Sequence, residues 1–267
     1  MNSAPLSVAV LMTCHNRALK TCNCLQALFA QELDSNILLK VFLVDDASSD
    51  GTSQQVQHKF PQVHLIQGSG NLYWCGGMRL VWSVAAKSDP DFYLLLNDDT
   101  HLLPNALPSL LALAPSPLTK AIAVGAISDP ETGKKTYGVV SKGRATPPYG
   151  VQTFNGNCVL IPRSVYQDLG SFHSAYTHGM GDHDYGYAAA RKGIPILETK
   201  HFIGRCPLDH TEKTWRDRSL SISTRLRLLN SPKGLPFREW FIFCKRNYGV
   251  CWPIKFLGPT IRIFLGI

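Results

Sequence analysis

No apolar run in this chain approaches the roughly 20 residues needed to span a bilayer. Its first residues, Met1-Asn2-Ser3-Ala4-Pro5, lack the basic segment, apolar core and small-residue cleavage site of a secretory leader. Together these absences predict a cytoplasmic protein. There are eight cysteines but no Cys-x-x-Cys pair, which removes the common zinc spacing. Without a leader, reduced thiols are expected rather than a disulfide framework. No Gly-x-Gly follows the first apolar strand, and no Gly-x-x-x-x-Gly-Lys-[Ser/Thr] loop exists. Nicotinamide, flavin and phosphate-loop ATPase chemistry therefore lose ground. No internal repeat or low-complexity tract is present.

Acids are scarce at one end. The chain carries 27 Lys+Arg and 19 Asp+Glu, but residues 213–267 hold 11 of the former and 2 of the latter, a net of +9. The preceding 212 residues are nearly neutral, at −1. The basic end also carries Trp215, Trp240, Phe241, Phe243, Tyr248, Trp252, Phe256 and Phe264. Basic residues interleaved with aromatics suit an anionic membrane surface. The competing reading is a helical extension packed on the core with its charges solvated. Nucleic acid is not expected as a partner. The sequence thus divides into a larger domain, 1–212, and a basic, aromatic-rich helical extension, 213–267. The extension would hold the protein at the inner face of the cytoplasmic membrane.

Along the first part, compact apolar runs alternate with helical spacing. Strands are expected over Ser7–Thr13, Leu38–Val44, Val63–Ile66 and Phe92–Leu96, with helices over Ala18–Gln31, Thr52–Phe60 and Met78–Ala86. Gly68–Gly77 reads as a Gly-rich loop. This alternation predicts an α/β fold with a mostly parallel sheet flanked by helices. Beyond it, a helix is expected from about Pro104. Strands are expected at Ala121–Ile127, Thr136–Val140, Cys158–Ile161 and Ile194–Glu198, and helices at Arg163–Leu169 and Tyr185–Lys192. Past Thr211, helices are expected to break at Pro232, Pro236, Pro253 and Pro259.

Three strand ends carry polar sets: Thr13-Cys14-His15-Asn16-Arg17, Asp45-Asp46-Ala47-Ser48-Ser49-Asp50-Gly51-Thr52, and Asn97-Asp98-Asp99-Thr100. In a parallel sheet these converge on one edge, where ligands bind. Adjacent acids such as Asp98 and Asp99 are costly to desolvate unless a cation or donors compensate. A divalent metal holding a phosphate-bearing substrate would do so. The bland alternative is that they cap the following helix.

These motifs resemble the family 2 glycosyltransferases, which have the GT-A fold. The likeness extends through Gly70-Asn71 with Gly76-Gly77, Asn155-Gly156-Asn157 with Val159–Arg163, and Gly181-Asp182-His183-Asp184 before Arg191-Lys192-Gly193. It covers about residues 7–210, and the variant resembles bacterial rhamnosyltransferase-like members that build surface polysaccharides.

The resemblance implies an inverting, metal-dependent enzyme. It would move a sugar from a UDP- or dTDP-linked donor to a hydroxyl of a glycan or lipid-linked acceptor, using Mg²⁺ or Mn²⁺. Asp46, with Asp45 beside it, would read the nucleotide base. Thr13, Asn16 and Arg17 would line the nucleotide pocket. Asn71 to Arg79 would close over the diphosphate, with Arg79 either a phosphate contact or a solvated helix residue. The family's Asp-x-Asp element falls on Asn97-Asp98-Asp99. Asp99 would ligate the metal and Asp98 would face the ribose or donor sugar, while Asn97 departs from the acidic pattern. Asp182 would be the base, or else a helix cap, and the Glu that precedes the base in the family is Gly181 here. Asp184 would be structural or acceptor-orienting, and Asn155, Gly156 and His178 would contact acceptor or sugar. A histidine after the base motif completes the metal shell in such enzymes, with His210 preferred over His201. The alternatives are a nucleotidyltransferase of similar fold and a non-catalytic glycan-binding module.

Overall fold

The apolar runs become strands with two buried faces. In β1 (Leu6–Cys14), Val8, Val10, Met12 and Cys14 join one core, and Ala9 and Leu11 join the other. In β4 (Phe92–Leu96), Phe92, Leu94 and Leu96 divide from Tyr93 and Leu95 in the same way. Side chains alternate across a strand, so a run with no polar gap demands cover on both sides. Each fully buried Leu contributes about 1.5–3 kcal/mol. The computed structural model describes residues 5–142, 151–208 and 213–266.

The covering helices come from the intervening segments. α1 (Ala18–Phe29), α2 (Thr52–Lys59) and α4 (Ala106–Leu113) pack on one face, through Leu25, Leu28, Val56 and Leu110. α3 (Tyr73–Ala85), α5 (Arg163–Leu169) and α6 (Gly181–Arg191) pack on the other, through Met78, Trp82, Val165 and Tyr185. The remaining strands are β2 (Ile37–Asp45), β3 (His64–Gln67), β5 (His101–Leu102), β6 (Ile122–Ser128), β7 (Lys135–Tyr137), β8 (Val139–Lys142), β9 (Val151–Phe154), β10 (Cys158–Pro162) and β11 (Ile196–Arg205).

The sheet runs β3-β2-β1-β4-β10-β6-β11-β5, with β7 on β6, and β8 pairs β9 in a separate ribbon. β3, β2, β1 and β4 are parallel, whereas β10 is antiparallel to both β4 and β6. The chain leaves β1 toward β2 on one side and later returns to place β4 on the other. That reversal opens a crevice beyond the carboxyl ends of β1 and β4.

Several elements differ from the sequence expectation. α3 begins at Tyr73, not Met78, so Gly76 and Gly77 lie inside a helix. A Cβ on Gly77 would stand 2.9 Å from Thr13 Cβ, so only glycine lets α3 approach the end of β1 this closely. α6 begins at Gly181, four residues early, which puts Asp182 and Asp184 in its first turn beside the positive end of the helix dipole. The segment expected as one strand over Thr136–Val140 splits at Gly138 into β7 and β8. β5 intervenes before α4, whose N-cap is Asn105, so Asp98 and Asp99 do not cap it.

The basic segment forms α7 (Ile222–Leu229), α8 (Phe237–Asn247) and α9 (Trp252–Leu265). Pro259 does not break α9 but lies inside it. The carbonyl it leaves unbonded is that of Lys255, on the exposed side where water can serve it. α8 is docked on the first part of the chain. Phe243 enters the second core, and buried Glu239 accepts from Thr177 N (2.9 Å) and Thr177 Oγ1 (2.7 Å). Arg246 Nε and Nη2 each donate to Asp184 at 3.1 Å.

Candidate active site

Beyond β1, β2 and β4 lies a cavity of about 370 Å³, lined by Thr13, Cys14, His15, Arg17, Asp46, Gly70, Tyr73, Trp74, Asp98, His178 and Lys233. Each motif braces itself before it faces the cavity. Asp45 Oδ1 accepts from Ser48 N (3.0 Å) and Oδ2 from the Ser53 hydroxyl. Asp50 accepts from Ala18 N and Thr52 N, both at 3.0 Å, tying the turn after β2 to the start of α1. Asp46 Oδ1 accepts from Gly70 N (2.7 Å), and Oδ2 from Leu72 N (2.9 Å) and Tyr73 N (3.1 Å). That carboxylate thereby fixes the entry to α3. His15 Nδ1 donates to the Asp46 carbonyl at 2.7 Å, which leaves Nε2 to accept from Asn16 Nδ2 at 3.1 Å.

At the end of β4, Arg17 Nη1 bridges the two acids, 3.2 Å from Asp98 Oδ1 and 2.7 Å from Asp99 Oδ2. Thr21 Oγ1 adds a 3.3 Å bond to Asp98 Oδ2. Burial pushes the Asp98 carboxyl up to about 6, against the pull of Arg17 and with the repulsion of Asp99. Burial also raises the Cys14 thiol, with Asp45 and Asp98 adding, so Cys14 stays protonated and is no nucleophile. Asn97 Oδ1 accepts from Trp74 Nε1 at 2.7 Å. An amide makes that bond without a third negative charge beside Asp98 and Asp99.

Asp182, in the first turn of α6, is not among the residues lining the cavity. Its Oδ2 accepts from Gly156 N (3.0 Å) and its Oδ1 from His183 N (2.8 Å). A Cβ on Gly156 would lie 2.6 Å from the Trp74 ring and 3.6 Å from Asp182 Cβ, so Gly156 lies close to both.

The structure brings Thr13, Arg17, Asp46, Asp98 and His178 to the cavity, and Asp99 joins them through Arg17. Other candidates go elsewhere. Arg79 lies outside the cavity lining, with its Nη1 donating to the Tyr176 and His173 carbonyls. Asp184 does not face an acceptor site, because Arg246 and Asn247 occupy both of its oxygens. Asn16 Oδ1 turns to Ser49 N (2.7 Å), and Asp45 is consumed by its own turn. Asn71 is exposed outside the cavity lining, and Asn155 N is tied to the Gly138 carbonyl at 3.0 Å. His201 is exposed on β11, and His210 lies outside the described residues. Tyr73, Trp74 and Lys233 line the cavity without having been singled out by sequence. The aromatic pair inside a Gly-rich segment was a usable signal for the first two. Nothing local marks Lys233.

Asp98 and Asp99 are the acids that could hold a divalent cation. Among the described residues, no group of three or more His, Cys, Asp or Glu is arranged for a metal ion. Two carboxylates nevertheless fit Mg²⁺, which is held by one or two protein acids while substrate phosphates and water complete its shell. Arg17 now supplies the compensating positive charge at the same oxygens.

A mixed α/β sheet with acids at its switch point is the architecture of the GT-A glycosyltransferases, and solved structures of that class superpose on it. The mannosyltransferase PcManGT from Pyrobaculum calidifontis, in complex with GDP-Man and Mn²⁺, matches with a TM-score of 0.61 at 15% identity, covering 99% of this chain and 74% of that one. S. aureus TarS with UDP-GlcNAc matches at 0.57 and 14%, covering 97% and 81%. The model of Glycosyl transferase family 2 matches residues 9–170, and the chain belongs to that family. A relative at 25% identity over 219 residues is the N-acetylglucosaminyl-diphospho-decaprenol L-rhamnosyltransferase of Mycobacterium tuberculosis. That alignment covers 64% of this chain and 70% of the relative.

Proposed function

We propose that this glycosyltransferase is inverting and metal-dependent, moving a hexose or deoxyhexose from a nucleotide-sugar to a hydroxyl of a glycan or lipid-linked acceptor. Such a reaction serves cell-surface polysaccharide synthesis. The observation that carries the reading is the Asp98–Asp99 pair bridged by Arg17, at a cavity that Arg17 and Asp98 line together with Asp46. The Mycobacterium tuberculosis relative is named for rhamnosyl transfer to a lipid-linked acceptor, which supports the acceptor class. The structural relatives holding GDP-Man or UDP-GlcNAc support a nucleotide-sugar donor.

In this reading Asp46 Oδ1, which takes only the Gly70 amide, accepts a second bond from the base, and Trp74 or Tyr73 gives it a flat apolar face. Mg²⁺ or Mn²⁺ held by Asp99 and Asp98 would supply Lewis-acid stabilisation of the departing diphosphate. Asp182 takes the proton of the acceptor hydroxyl as that oxygen displaces the diphosphate in line. Gly156 N–H and the turn of α6 hold the carboxylate for this task.

Incubating the protein with a panel of nucleotide-sugars and Mn²⁺, then measuring nucleoside diphosphate release with glycan and lipid-linked acceptors, tests the reaction. Asp182→Asn should lower kcat about 10²- to 10⁴-fold with donor binding retained. Full turnover in that variant would remove Asp182 from the role of base.

The extension is proposed as a contact with an anionic bilayer surface. Ile254, Leu257, Ile261 and Phe264 are exposed on α9, with Arg238, Lys245, Lys255 and Arg262 exposed around them. No helix among the described residues is long and apolar enough to cross a membrane. Replacing Ile254 and Ile261 together with Glu should abolish co-sedimentation with vesicles rich in anionic lipid. Undiminished sedimentation would refute the contact.

A further inference from the structure

The two basic side chains of the cavity are unequally committed. Arg17 already pairs with Asp98 and Asp99. Lys233 lines the same cavity, yet none of the ion pairs among the described residues involves it. It comes from the basic extension, in the loop between α7 and α8, more than 130 residues beyond the acids with which it lines the cavity.

That loop is a built turn. Ser231 N donates to Leu228 O (3.2 Å), Gly234 N to Ser231 O (2.8 Å) and Leu235 N to Leu229 O (2.6 Å). Phe237 N is held by Asn230 Oδ1 at 2.8 Å. A Cβ on Gly234 would collide with the Leu228 and Leu229 carbonyls, so glycine is required for the close return. Leu235 packs against both the second core and the small cluster of Trp215, Leu229 and Ile263. The backbone of Lys233 is therefore fixed beside the cavity while the residue as a whole stays exposed.

Asp46 and Asp98 make the inner wall acidic, so an anionic ligand needs positive charge elsewhere on the rim. A lysine is a compact charge with three donors, suited to phosphate oxygens. We infer that Lys233 binds the diphosphate of the nucleoside diphosphate donor, which makes the C-terminal extension part of the donor site. This rests on the glycosyl-transfer reading. The lipid-linked acceptor class can also carry a diphosphate, but Lys233 shares its cavity with Asp46, Tyr73 and Trp74, the groups suited to a nucleoside.

The test is calorimetric titration of the full chain with UDP, dTDP and GDP in the presence of Mn²⁺, and with the matching nucleosides. Lys233→Ala should weaken nucleoside diphosphate binding about ten-fold, the loss of one charge-assisted bond. Nucleoside binding and the thermal midpoint should stay unchanged, and Lys233→Arg should restore most of the affinity. Unchanged diphosphate affinity in Lys233→Ala, or an equal loss for the nucleosides, would overturn the inference. A rise in KM confined to the acceptor would reassign Lys233 to the acceptor's diphosphate and overturn it too. If the unsubstituted chain binds no nucleoside diphosphate and releases none from nucleotide-sugars, the glycosyl-transfer reading itself fails.

Discussion

Asp98 loses most of its water on folding, and Arg17 and Thr21 replace that water only in part. Its folded pKa of about 6 lies above the unfolded value of about 3.9. Between those values the folded state binds the extra proton, so this group stabilises the metal-free protein as pH falls through 6 and costs stability above it. Asp98→Asn should therefore raise the thermal midpoint in EDTA at pH 7.5, by on the order of 1–3 kcal/mol of stability, and change it little near pH 4. The same substitution should lower turnover in Mn²⁺. A lowered midpoint at pH 7.5 would contradict this account. The three polar strand ends were legible because each polar set, acidic in two of them, follows its apolar run directly in the chain. Asp184 shows the opposite case: its carboxylate looks like part of a catalytic motif, and only the partners Arg246 and Asn247 reveal its docking role.

At the scale of elements, α3 sets the local propensity of glycine against packing. Alanine is better than glycine inside a helix by about 1 kcal/mol, so propensity alone favours replacing both Gly76 and Gly77. A Cβ at position 76 meets Leu72 Cβ at an ordinary 3.4 Å, whereas one at position 77 runs into Thr13. Gly76→Ala should be neutral or stabilising in thermal melts. Gly77→Ala should cost about 1–3 kcal/mol and weaken nucleotide binding, because α3 must back away from the Thr13 wall of the cavity. Equal effects at the two positions would show that the α3–β1 approach is not tight. Helix existence was readable here from periodicity, but the start was not. Asp46 captures the Gly70, Leu72 and Tyr73 amides and begins the helix five residues before Met78, and that capture joins residues 24 to 27 apart in sequence.

For the whole molecule, the question is how the basic extension relates to the catalytic part. Arg246 makes two bonds to a buried carboxylate, and Phe243 fills a core shared with α3 and α6. Arg246→Ala leaves Asp184 buried with only Asn247, and should cost roughly 2–3 kcal/mol by denaturant unfolding. It should also weaken nucleotide binding if α8 positions the Lys233 turn, whereas Asn247→Ala should do less of both. The sequence by itself determined that this chain forms a layered α/β fold with acids gathered at parallel strand ends, because strand burial and turn chemistry are local. It also set aside a basic aromatic end, because charge is countable. Only the tertiary structure decided which acids meet the cavity, which are spent on bracing the chain, and that Lys233 from the far end of the chain lines the same cavity as Arg17 and Asp98 from the near end. Such pairings arise when packing brings distant segments together, and no period or spacing along the chain encodes them.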